Sequence, residues 1–113
     1  MTPRLTSAML VSAMIRRVQA AGGFAAVLQR GDDQAGAILV ECADRGATQL
    51  LLERATDLDG RDHWRMADAD PARDADAYRQ RLERRRASDR DLWIIELDIA
   101  DAARFAAETI GTT

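Results

Sequence analysis

The apolar residues of this chain change their spacing twice, and this limits the folds open to it. Before residue 22 they recur every third or fourth position, which is typical of a helix packed on one side. From Phe24 they alternate with polar residues, as in strands, and helical spacing returns after Pro71. The pattern predicts a helix, three or four strands, a second helix, a further strand and a last helix.

The first helix is predicted to be amphipathic. Thr2 can cap it, with Pro3 at the first helical position, and Gly22-Gly23 can end it in left-handed geometry. Its apolar run is too short to cross a bilayer, which takes about 20 residues. Arg16 and Arg17 stand where a signal peptide would carry its cleavage site. We therefore expect neither a signal peptide nor a membrane span here, and a cytoplasmic protein.

The stretch Asp44-Arg45-Gly46 predicts a three-residue hairpin loop, with Gly46 in the left-handed conformation. This register divides the side chains of the two flanking strands between two faces of a sheet. Because side chains alternate along a strand, a loop one residue longer would mix the two sets. One face is predicted to carry Ile38, Val40, Cys42, Leu50 and Leu52, and the other Leu39, Glu41, Leu51 and Glu53.

A further turn, a weaker strand and the start of a second helix complete the middle of the chain. The segment RGDDQAG, residues 30–36, is predicted to be the turn of an earlier hairpin. Asp62–Met66 predicts a fourth strand. Asp70-Pro71 then predicts the start of the second helix, with Asp70 as its cap. Its only apolar stripe is Ala75, Tyr78 and Leu82, so this helix should lie on a surface.

The last strand is predicted at Asp91–Ile99, and Asp101 can cap a final helix. The elements together predict one α+β domain over residues 1–113. It should contain a mainly antiparallel sheet of four or five strands, with helices at both termini and one before the last strand. The residues expected to be buried together are Ile38, Val40, Leu50, Leu52, Trp93, Ile95 and Leu97.

The composition agrees with a single globular domain. The 113 residues are enough to bury a core without staples, and 47% of them are hydrophobic. A net charge of −3 argues against a dedicated nucleic-acid binder. Cys42 is the only cysteine, which excludes an intrachain disulfide and fits a reducing compartment.

Several separated blocks resemble a known family. They are MTPRLTSAML, AGGFAAVLQRGDDQAGAILV and DLWIIELDI followed by DAARF. In this order, and over nearly the whole chain, they are similar to a bacterial family known as domain of unknown function 1491. The resemblance implies a single compact bacterial domain. The family has no assigned reaction, so the resemblance carries over no catalytic residues and leaves the function open.

The first candidate site is a cluster of arginines. Six arginines stand between Arg79 and Arg90 against Glu83 and Asp89, a balance of 6 − 2 = +4. Guanidinium groups bind phosphate well, so this Arg81–Arg90 region could form a nucleic-acid surface. However, no aromatic residue lies among the arginines for bases to stack on, and their position suits the dipole of a helix end. We do not expect nucleic-acid binding, which stays the second alternative.

The second candidate site is a set of carboxylates: Glu41, Glu53, Glu96 and Asp98. If their strands are neighbours, these acids share the sheet face opposite the core. They could bind a divalent ion or shift one another's pKa, which would suit a metal-dependent enzyme or a metal-binding protein. The favoured interpretation is that each acid marks where a strand meets water, where it could pair with Arg30, Arg54 or the arginines of the second helix.

The remaining signals are weaker. His63 and Cys42 are single residues of their kind, so they cannot build a zinc site within one chain. They could pair as a nucleophile and its base, but Cys42 is predicted to face the core. If Gly60 of TDLDGRDHW is the sixth position of a calcium loop, Ala55 and Met66 occupy its first and twelfth positions, where the ion needs ligands. Neither residue can bind calcium through its side chain, so the segment is predicted to be a turn. The RGD at residues 30–32 is also interpreted as part of a turn. No catalytic, cofactor-binding or metal-binding residue is assigned.

These observations predict a non-catalytic protein-interaction module, either a homodimer or a subunit of a complex. The main apolar face of the first helix consists of Val11, Met14, Ile15 and Val18. Leu5, Met9 and Leu10 lie outside this face, which suggests that a second side of the helix is also covered. The stretch 57–76 is acidic, with three arginines against seven aspartates and a net charge of 3 − 7 = −4. It could pair with the basic stretch 79–90 of a second copy about a twofold axis. In the alternative, the last helix covers the second side within one chain.

Overall fold

Three α-helices, five strands and one short 3-10 helix make up residues 5–110, the part of the chain that the computed structural model describes. In chain order they are α1 (Ser7–Ala20), β1 (Phe24–Gln29), β2 (Ile38–Asp44), β3 (Ala47–Thr56), β4 (Asp62–Asp68), the 3-10 helix (Pro71–Asp74), α2 (Ala75–Ser88), β5 (Trp93–Asp98) and α3 (Ala102–Ile110). The strands form one mostly antiparallel sheet. The predicted α+β architecture is confirmed, with helices at both ends and one before the last strand.

The last strand, β5, lies inside the sheet, which has the order β1-β5-β2-β3-β4. It runs antiparallel to β1 and parallel to β2. The predicted hairpin between β1 and β2 is therefore wrong, because the connection 30–36 passes over the start of β5. Two glycines permit this close passage: a Cβ atom at Gly31 or Gly36 would lie 2.3 or 2.1 Å from the carbonyl oxygen of Asp91.

The turn between β2 and β3 contains two residues, Arg45 and Gly46, and not the predicted three. Their φ angles of 53° and 82° are both positive, as the favoured two-residue hairpin turn requires. A bulge then shifts the register by one residue, so that Cys42 pairs with Leu50. This bulge restores the alternation that a two-residue turn alone would have reversed. The predicted division of side chains between two faces is therefore confirmed.

The first helix ends as predicted but begins at a different cap. The hydroxyl of Thr6 accepts a hydrogen bond of 3.2 Å from the Met9 N–H, and the helix follows it. The predicted cap at Thr2, with Pro3, lies outside the described residues. Gly22, with φ of 87°, follows the helix as expected. None of the helices within residues 5–110 has the length and apolarity needed to cross a membrane.

The second helix begins in two steps. Pro71–Asp74 forms the 3-10 helix, and Asp74 then caps α2 by accepting a hydrogen bond of 3.1 Å from the Ala77 N–H. The predicted cap, Asp70, makes no such bond with its side chain, so that prediction is wrong by one turn. Both aspartates fit the sequence pattern of a helix start, and the added 3-10 turn decides between them.

Helices α1 and α3 pack on one face of the sheet, called here the α1/α3 face. Trp93 is buried in this core, and its Nε1 donates a hydrogen bond of 2.7 Å to the carbonyl oxygen of Asp32. This bond attaches the loop that crosses β5 to the core. The residues predicted to be buried together all lie here, with Leu50 only partly buried: Ile38, Val40, Leu50, Leu52, Trp93, Ile95 and Leu97.

The opposite face, called here the α2 face, has a smaller core beneath α2. It consists of Leu39, Leu51, Tyr78, Leu92 and Ile94. Of the residues of α2, Tyr78 is the one that is buried, and the rest of the helix is largely polar. The expected surface position of α2 is confirmed. Because this core is small, polar and charged side chains cover much of the α2 face.

Candidate functional site

The four predicted carboxylates all lie on the α2 face. Glu41 and Glu96 are neighbours across the parallel pair β2–β5, and Asp98 follows two residues later on β5. Glu53 lies on β3, opposite Leu39. The prediction that these acids share the face opposite the main core is confirmed. Their contacts differ, however, and each carboxylate has its own surroundings.

Glu41 is buried and bonded to the helix above it. Glu41 is 8% exposed, and its Oε1 accepts a hydrogen bond of 2.5 Å from the Tyr78 hydroxyl. Burial, then the hydrogen bond and the charge of Glu41, raises the pKa of the Tyr78 phenol. The phenol therefore keeps its proton and remains a donor to Glu41. This contact fixes α2 to the centre of the sheet.

Glu53 lies between two arginines. Its Oε1 accepts a hydrogen bond of 2.5 Å from Arg65 on β4, and its Oε2 accepts one of 2.8 Å from Arg85 on α2. Burial alone would raise the pKa of Glu53, but the hydrogen bonds and charges of Arg85 and Arg65 outweigh it and lower this pKa. Glu53 is thus an ionised bridge between β4 and α2.

Glu96 and Asp98 lie on the part of this face nearest β1. Asp98 accepts a hydrogen bond of 2.8 Å from the Gly46 N–H and so holds the β2–β3 turn. Glu96 makes no hydrogen bond within the described part of the chain. Burial, followed by the charges of Glu41 and Asp98, raises the pKa of Glu96. Glu96 is therefore the acid of this set whose ionisation is opposed by its surroundings.

The carboxylates do not converge on one point. Among residues 5–110, no three side chains of histidine, cysteine, aspartate or glutamate are close enough to hold one metal ion together. The contacts give the reason: Glu41 accepts from a phenol and Glu53 from two guanidinium groups. The suggested pairing with an arginine of the second helix is found at Glu53, which bonds Arg85. The interpretation is wrong for Glu41, which is buried and bonded to Tyr78 and does not mark where a strand meets water.

The arginines of α2 are partly used within the chain. Arg81 forms an ion pair with Asp68 of β4, and Arg85 with Glu53. The basic stretch 79–90 therefore meets the acidic stretch 57–76 in the same molecule, at the Arg81–Asp68 pair. This pairing removes part of the charge that could have joined two copies. Arg79, Arg84 and Arg90 make no ion pair with any residue of the region 5–110.

A cavity of about 320 Å³ lies between α2 and the sheet. Its sheet side is apolar except for Asp68 of β4, and three arginines of α2 stand around its helix side. The residues that line it are Leu39, Leu51, Ala67, Asp68, Tyr78, Arg81, Leu82, Arg84, Arg85 and Ser88. We call it the α2 cavity.

Sequence reasoning missed the α2 cavity, because its two sides are distant in the chain. One signal was available: Tyr78, Arg81, Leu82 and Arg85 follow the spacing i, i+3, i+4, i+7 and so share one face of the helix. The sequence therefore shows a stripe of mixed apolar and cationic residues. It does not show that this stripe stands above Leu39 and Leu51.

The single cysteine and histidine lie on opposite faces of the sheet. Cys42 belongs to the core of the α1/α3 face, where burial raises the pKa of its thiol to about 12. His63 is exposed on β4, where it pairs with Ala55 and so alternates onto the α2 face. Cys42 and His63 therefore cannot form the nucleophile pair considered from the sequence. The expected core position of Cys42 is confirmed.

The two short motifs are structural. In the segment 57–61, Oδ1 of Asp57 accepts hydrogen bonds from the N–H groups of Asp59 and Arg61, both at 2.9 Å, as in a turn. In the RGD segment, the Arg30 guanidinium lies 5.4 Å from the centre of the Trp93 ring. The turn prediction at 57–61 is confirmed, whereas the RGD segment belongs to the crossing loop.

One edge of the sheet is apolar, and no strand of the described residues covers it. β1 pairs only with β5, and no strand within residues 5–110 lies on its outer side. Three of its six residues are large, apolar and exposed: Phe24 at 58%, Val27 at 45% and Leu28 at 41%. This feature also escaped the sequence reasoning, which expected β1 to pair with β2. It could have been suspected from the strand itself, FAAVLQ, which contains no charged residue.

Comparisons with solved structures agree with this fold. An NMR structure of a DUF1491 family protein from Caulobacter crescentus CB15 has a TM-score of 0.73 and 36% sequence identity, and the match covers 92% of this chain and 94% of that one. A crystal structure of a DUF1491 family protein from the same organism gives 0.70 and 36%, covering 89% and 94%. A solution structure of a protein from A. tumefaciens gives 0.65 and 37%, covering 86% and 87%.

A search of curated proteins found no match. The family model described as "Protein of unknown function (DUF1491)" matches residues 5–107, nearly the whole chain. The resemblance stated from the sequence blocks is confirmed. The chain belongs to the DUF1491 family.

Proposed function

We propose that this protein is a non-catalytic interaction module of the cytoplasm, and that its partner is a second copy of itself joined through strand β1. The observation that supports this most is the uncharged outer edge of β1, with its three exposed apolar side chains. An exposed edge strand offers unpaired N–H and C=O groups to another strand. Apolar side chains beside that edge add area that is removed from water on pairing.

The two edges of the sheet differ in the way this proposal needs. The opposite edge, β4, carries Asp62, His63, Arg65 and Asp68. Charged side chains are a common means of keeping an edge strand from pairing with other chains. β1 has no charge, and its only such device is a bulge near Leu28. The stretch left for pairing is therefore Phe24–Val27.

A second copy fits this edge because a strand can pair in antiparallel fashion with the same strand of another chain. Two β1 strands related by a twofold axis would present the same residues to each other, so no second surface is needed. The two five-stranded sheets would then form one continuous sheet across the axis. Helix α1, which packs over β1 and β5, would lie near its counterpart. This arrangement replaces the charge pairing expected from the sequence.

The apolar residues of α1 give weaker support. Leu10 is buried within the chain, where α1 also packs against α3, as in the alternative that the last helix covers α1. Leu5 and Met9 remain exposed, at 37% and 55%. The interaction surface is therefore centred on β1, because Leu10 is covered within the chain and only Met9 of α1 and Leu5, which precedes the helix, are left exposed among these three residues.

The test is the molar mass in solution across a dilution series, measured by light scattering or sedimentation equilibrium. We expect twice the chain mass of 12.5 kDa at high concentration, falling towards 12.5 kDa on dilution. Val27→Lys should give a monomer at every concentration, because it places a charge on the pairing edge. Met66→Lys is the matched control, since Met66 is 54% exposed on the other edge. A wild-type monomer at high concentration, or equal effects of both substitutions, would refute the proposal.

A further inference from the structure

We propose that the α2 cavity binds a small organic anion with a compact apolar body, such as a carboxylate or a phosphate monoester. This site is separate from the β1 edge, because no residue of β1 lines the cavity. The two proposals can therefore be right or wrong independently.

The shape of the α2 cavity suits the apolar part of such a ligand. Leu39 and Leu51 line the sheet side, and Leu82 lines the helix side. The volume of about 320 Å³ is at the small end of the range found for ligand pockets, about 300–1,000 Å³. Since water takes about 30 Å³ per molecule, there is room for about ten non-hydrogen atoms. A short chain or one aromatic ring with an anionic group fits this size.

The charge of the lining selects an anion. Arg81, Arg84 and Arg85 stand against Asp68, a balance of 3 − 1 = +2 on a chain with a net charge of −3. The three arginines are not equivalent, however. Arg81 is paired with Asp68 and Arg85 with Glu53, whereas Arg84 has no ion pair among residues 5–110. Arg84 therefore has its guanidinium fork available for a carboxylate or phosphate.

The cavity is built before any ligand arrives. Tyr78 joins α2 to Glu41 of β2, and Arg85 joins it to Glu53 of β3. These two contacts stand one on each side of Leu82 along the helix and hold α2 above the sheet. Binding would then order few additional groups, which lowers its entropic cost.

A small ligand fits this lining better than a nucleic acid does. The aromatic residue in the lining is Tyr78, which is 9% exposed and donates its hydroxyl to Glu41. It offers no free ring face on which a base could stack. The apolar part of the site is a recess beneath a helix, whereas a polyanion needs an extended basic surface.

The experiment titrates the ¹⁵N-labelled full chain with four probes and follows amide chemical shifts. Octanoate and phenyl phosphate carry both an apolar body and an anionic group, 1-octanol carries only the first, and inorganic phosphate only the second. We expect octanoate or phenyl phosphate to shift the amides of Leu39, Leu51 and Ser88, with an affinity at least tenfold higher than either control. Octanoate and phenyl phosphate separate the carboxylate source from the phosphate source.

Two variants locate the site. Arg84→Gln should weaken binding about tenfold, and Arg79→Gln is its matched control, since Arg79 lies on the same helix, also lacks an ion pair within residues 5–110, and does not line the cavity. Ala67→Trp should abolish binding by filling the space without changing the charge, and Ala67 is exposed enough for this substitution to leave the fold intact. Unchanged amide spectra away from residue 67 would establish that the fold is kept.

The results that overturn the proposal are equally definite. Absence of shifts with both anionic probes at millimolar concentration would end it. Inorganic phosphate binding as tightly as phenyl phosphate would show attraction to surface arginines without a pocket. Equal losses in Arg84→Gln and Arg79→Gln, or full binding by a folded Ala67→Trp, would place the anion elsewhere.

Discussion

The Tyr78 hydroxyl donates a hydrogen bond of 2.5 Å to Oε1 of Glu41, joining α2 to the interior of the sheet across 37 residues of sequence. Both residues are less than a tenth exposed. Removing the donor would leave a buried carboxylate without its partner, which costs more than the bond itself contributes.

We therefore expect Tyr78→Phe to lower the free energy of unfolding by about 1–3 kcal/mol at neutral pH. Urea denaturation measures this loss. Adding Glu41→Gln should recover part of it, because the unpartnered charge is then gone. If the double variant is as unstable as the sum of the two single variants, Tyr78 and Glu41 are not coupled and the interpretation of this bond fails.

The second prediction concerns Glu53, whose pKa is lowered in the folded state. Its contribution to stability is present above the ordinary glutamate pKa of about 4.3 and is lost as pH falls through the folded value. Glu53→Gln should cost about 0.5–1 kcal/mol at pH 7, since Arg65 and Arg85 are both more than a third exposed and solvent screens them. The difference from the parent protein should shrink below about pH 4.

A pH series of urea denaturation checks this, with Glu83→Gln as the matched control. Glu83 is 62% exposed and meets Arg86 at 3.4 Å, so its substitution should change stability little at any pH. A cost for Glu53→Gln that stays constant down to low pH would contradict an ionic cause.

The third prediction concerns Glu96, whose effect on stability changes with pH in the opposite direction to that of Glu53. The pKa of Glu96 is raised, so the folded state holds this proton more tightly than the unfolded chain does. Stability is then lost as pH rises from about 4.3 through the folded value, because ionising Glu96 is costly. Glu96→Gln should stabilise the protein at pH 7, and the gain should vanish at acid pH. A side-chain carbon NMR titration of Glu96 gives an independent check, and destabilisation at pH 7 would disprove the argument.

The fourth prediction concerns the main core. Trp93→Ala should lower the free energy of unfolding by about 3–5 kcal/mol, as large aromatic truncations do. Trp93→Phe keeps a ring in the core but loses the hydrogen bond to the Asp32 carbonyl, so its cost should be nearer 1 kcal/mol. Equal costs for the two variants would mean that the bond to the crossing loop, and not packing, accounts for the role of Trp93.

The fifth prediction concerns divalent ions. We expect no rise in melting temperature with magnesium, calcium or manganese, because Glu41 and Glu53 are bonded to Tyr78 and to arginines. A ligand that binds only the folded state must stabilise it, so melting curves are a sensitive test. A rise that disappears in Glu41→Gln would establish the metal-binding alternative for the carboxylates.

Periodicity predicted most of the elements of this fold and the face on which each strand residue lies. Ile38, Val40 and Cys42 face the main core because alternation along a strand is a local property. The position of β5 could not be predicted in the same way, since it depends on pairings with β1 and β2 between residues more than 50 apart. A turn-like segment such as 30–36 suits a hairpin as well as a crossing loop.

The features of the candidate sites that depend on local alternation were also predictable, and those that depend on the position of α2 were not. The shared face of Glu41 and Glu96 followed from strand alternation, and their neighbouring positions from the parallel pairing. That Glu41 would meet a tyrosine and Glu53 two arginines depends on where α2 lies above the sheet. The sequence predicted that Tyr78 faces inward, but it held no measure of the distance or rotation of the helix. The α2 cavity is the product of that distance.

The interior position of β5 has a consequence for the chain as it is synthesised. β1 leaves the ribosome roughly 70 residues before β5, with which it pairs, and this is several seconds at about 5–20 residues per second. The β2–β3–β4 meander can form during that delay, since its contacts are local. The nascent chain therefore exposes the unpaired strand β1 and the edge of β2 that faces away from β3, until β5 emerges and joins them. A chaperone that binds extended apolar segments has its opportunity in this interval, and the arrival of β5 ends it.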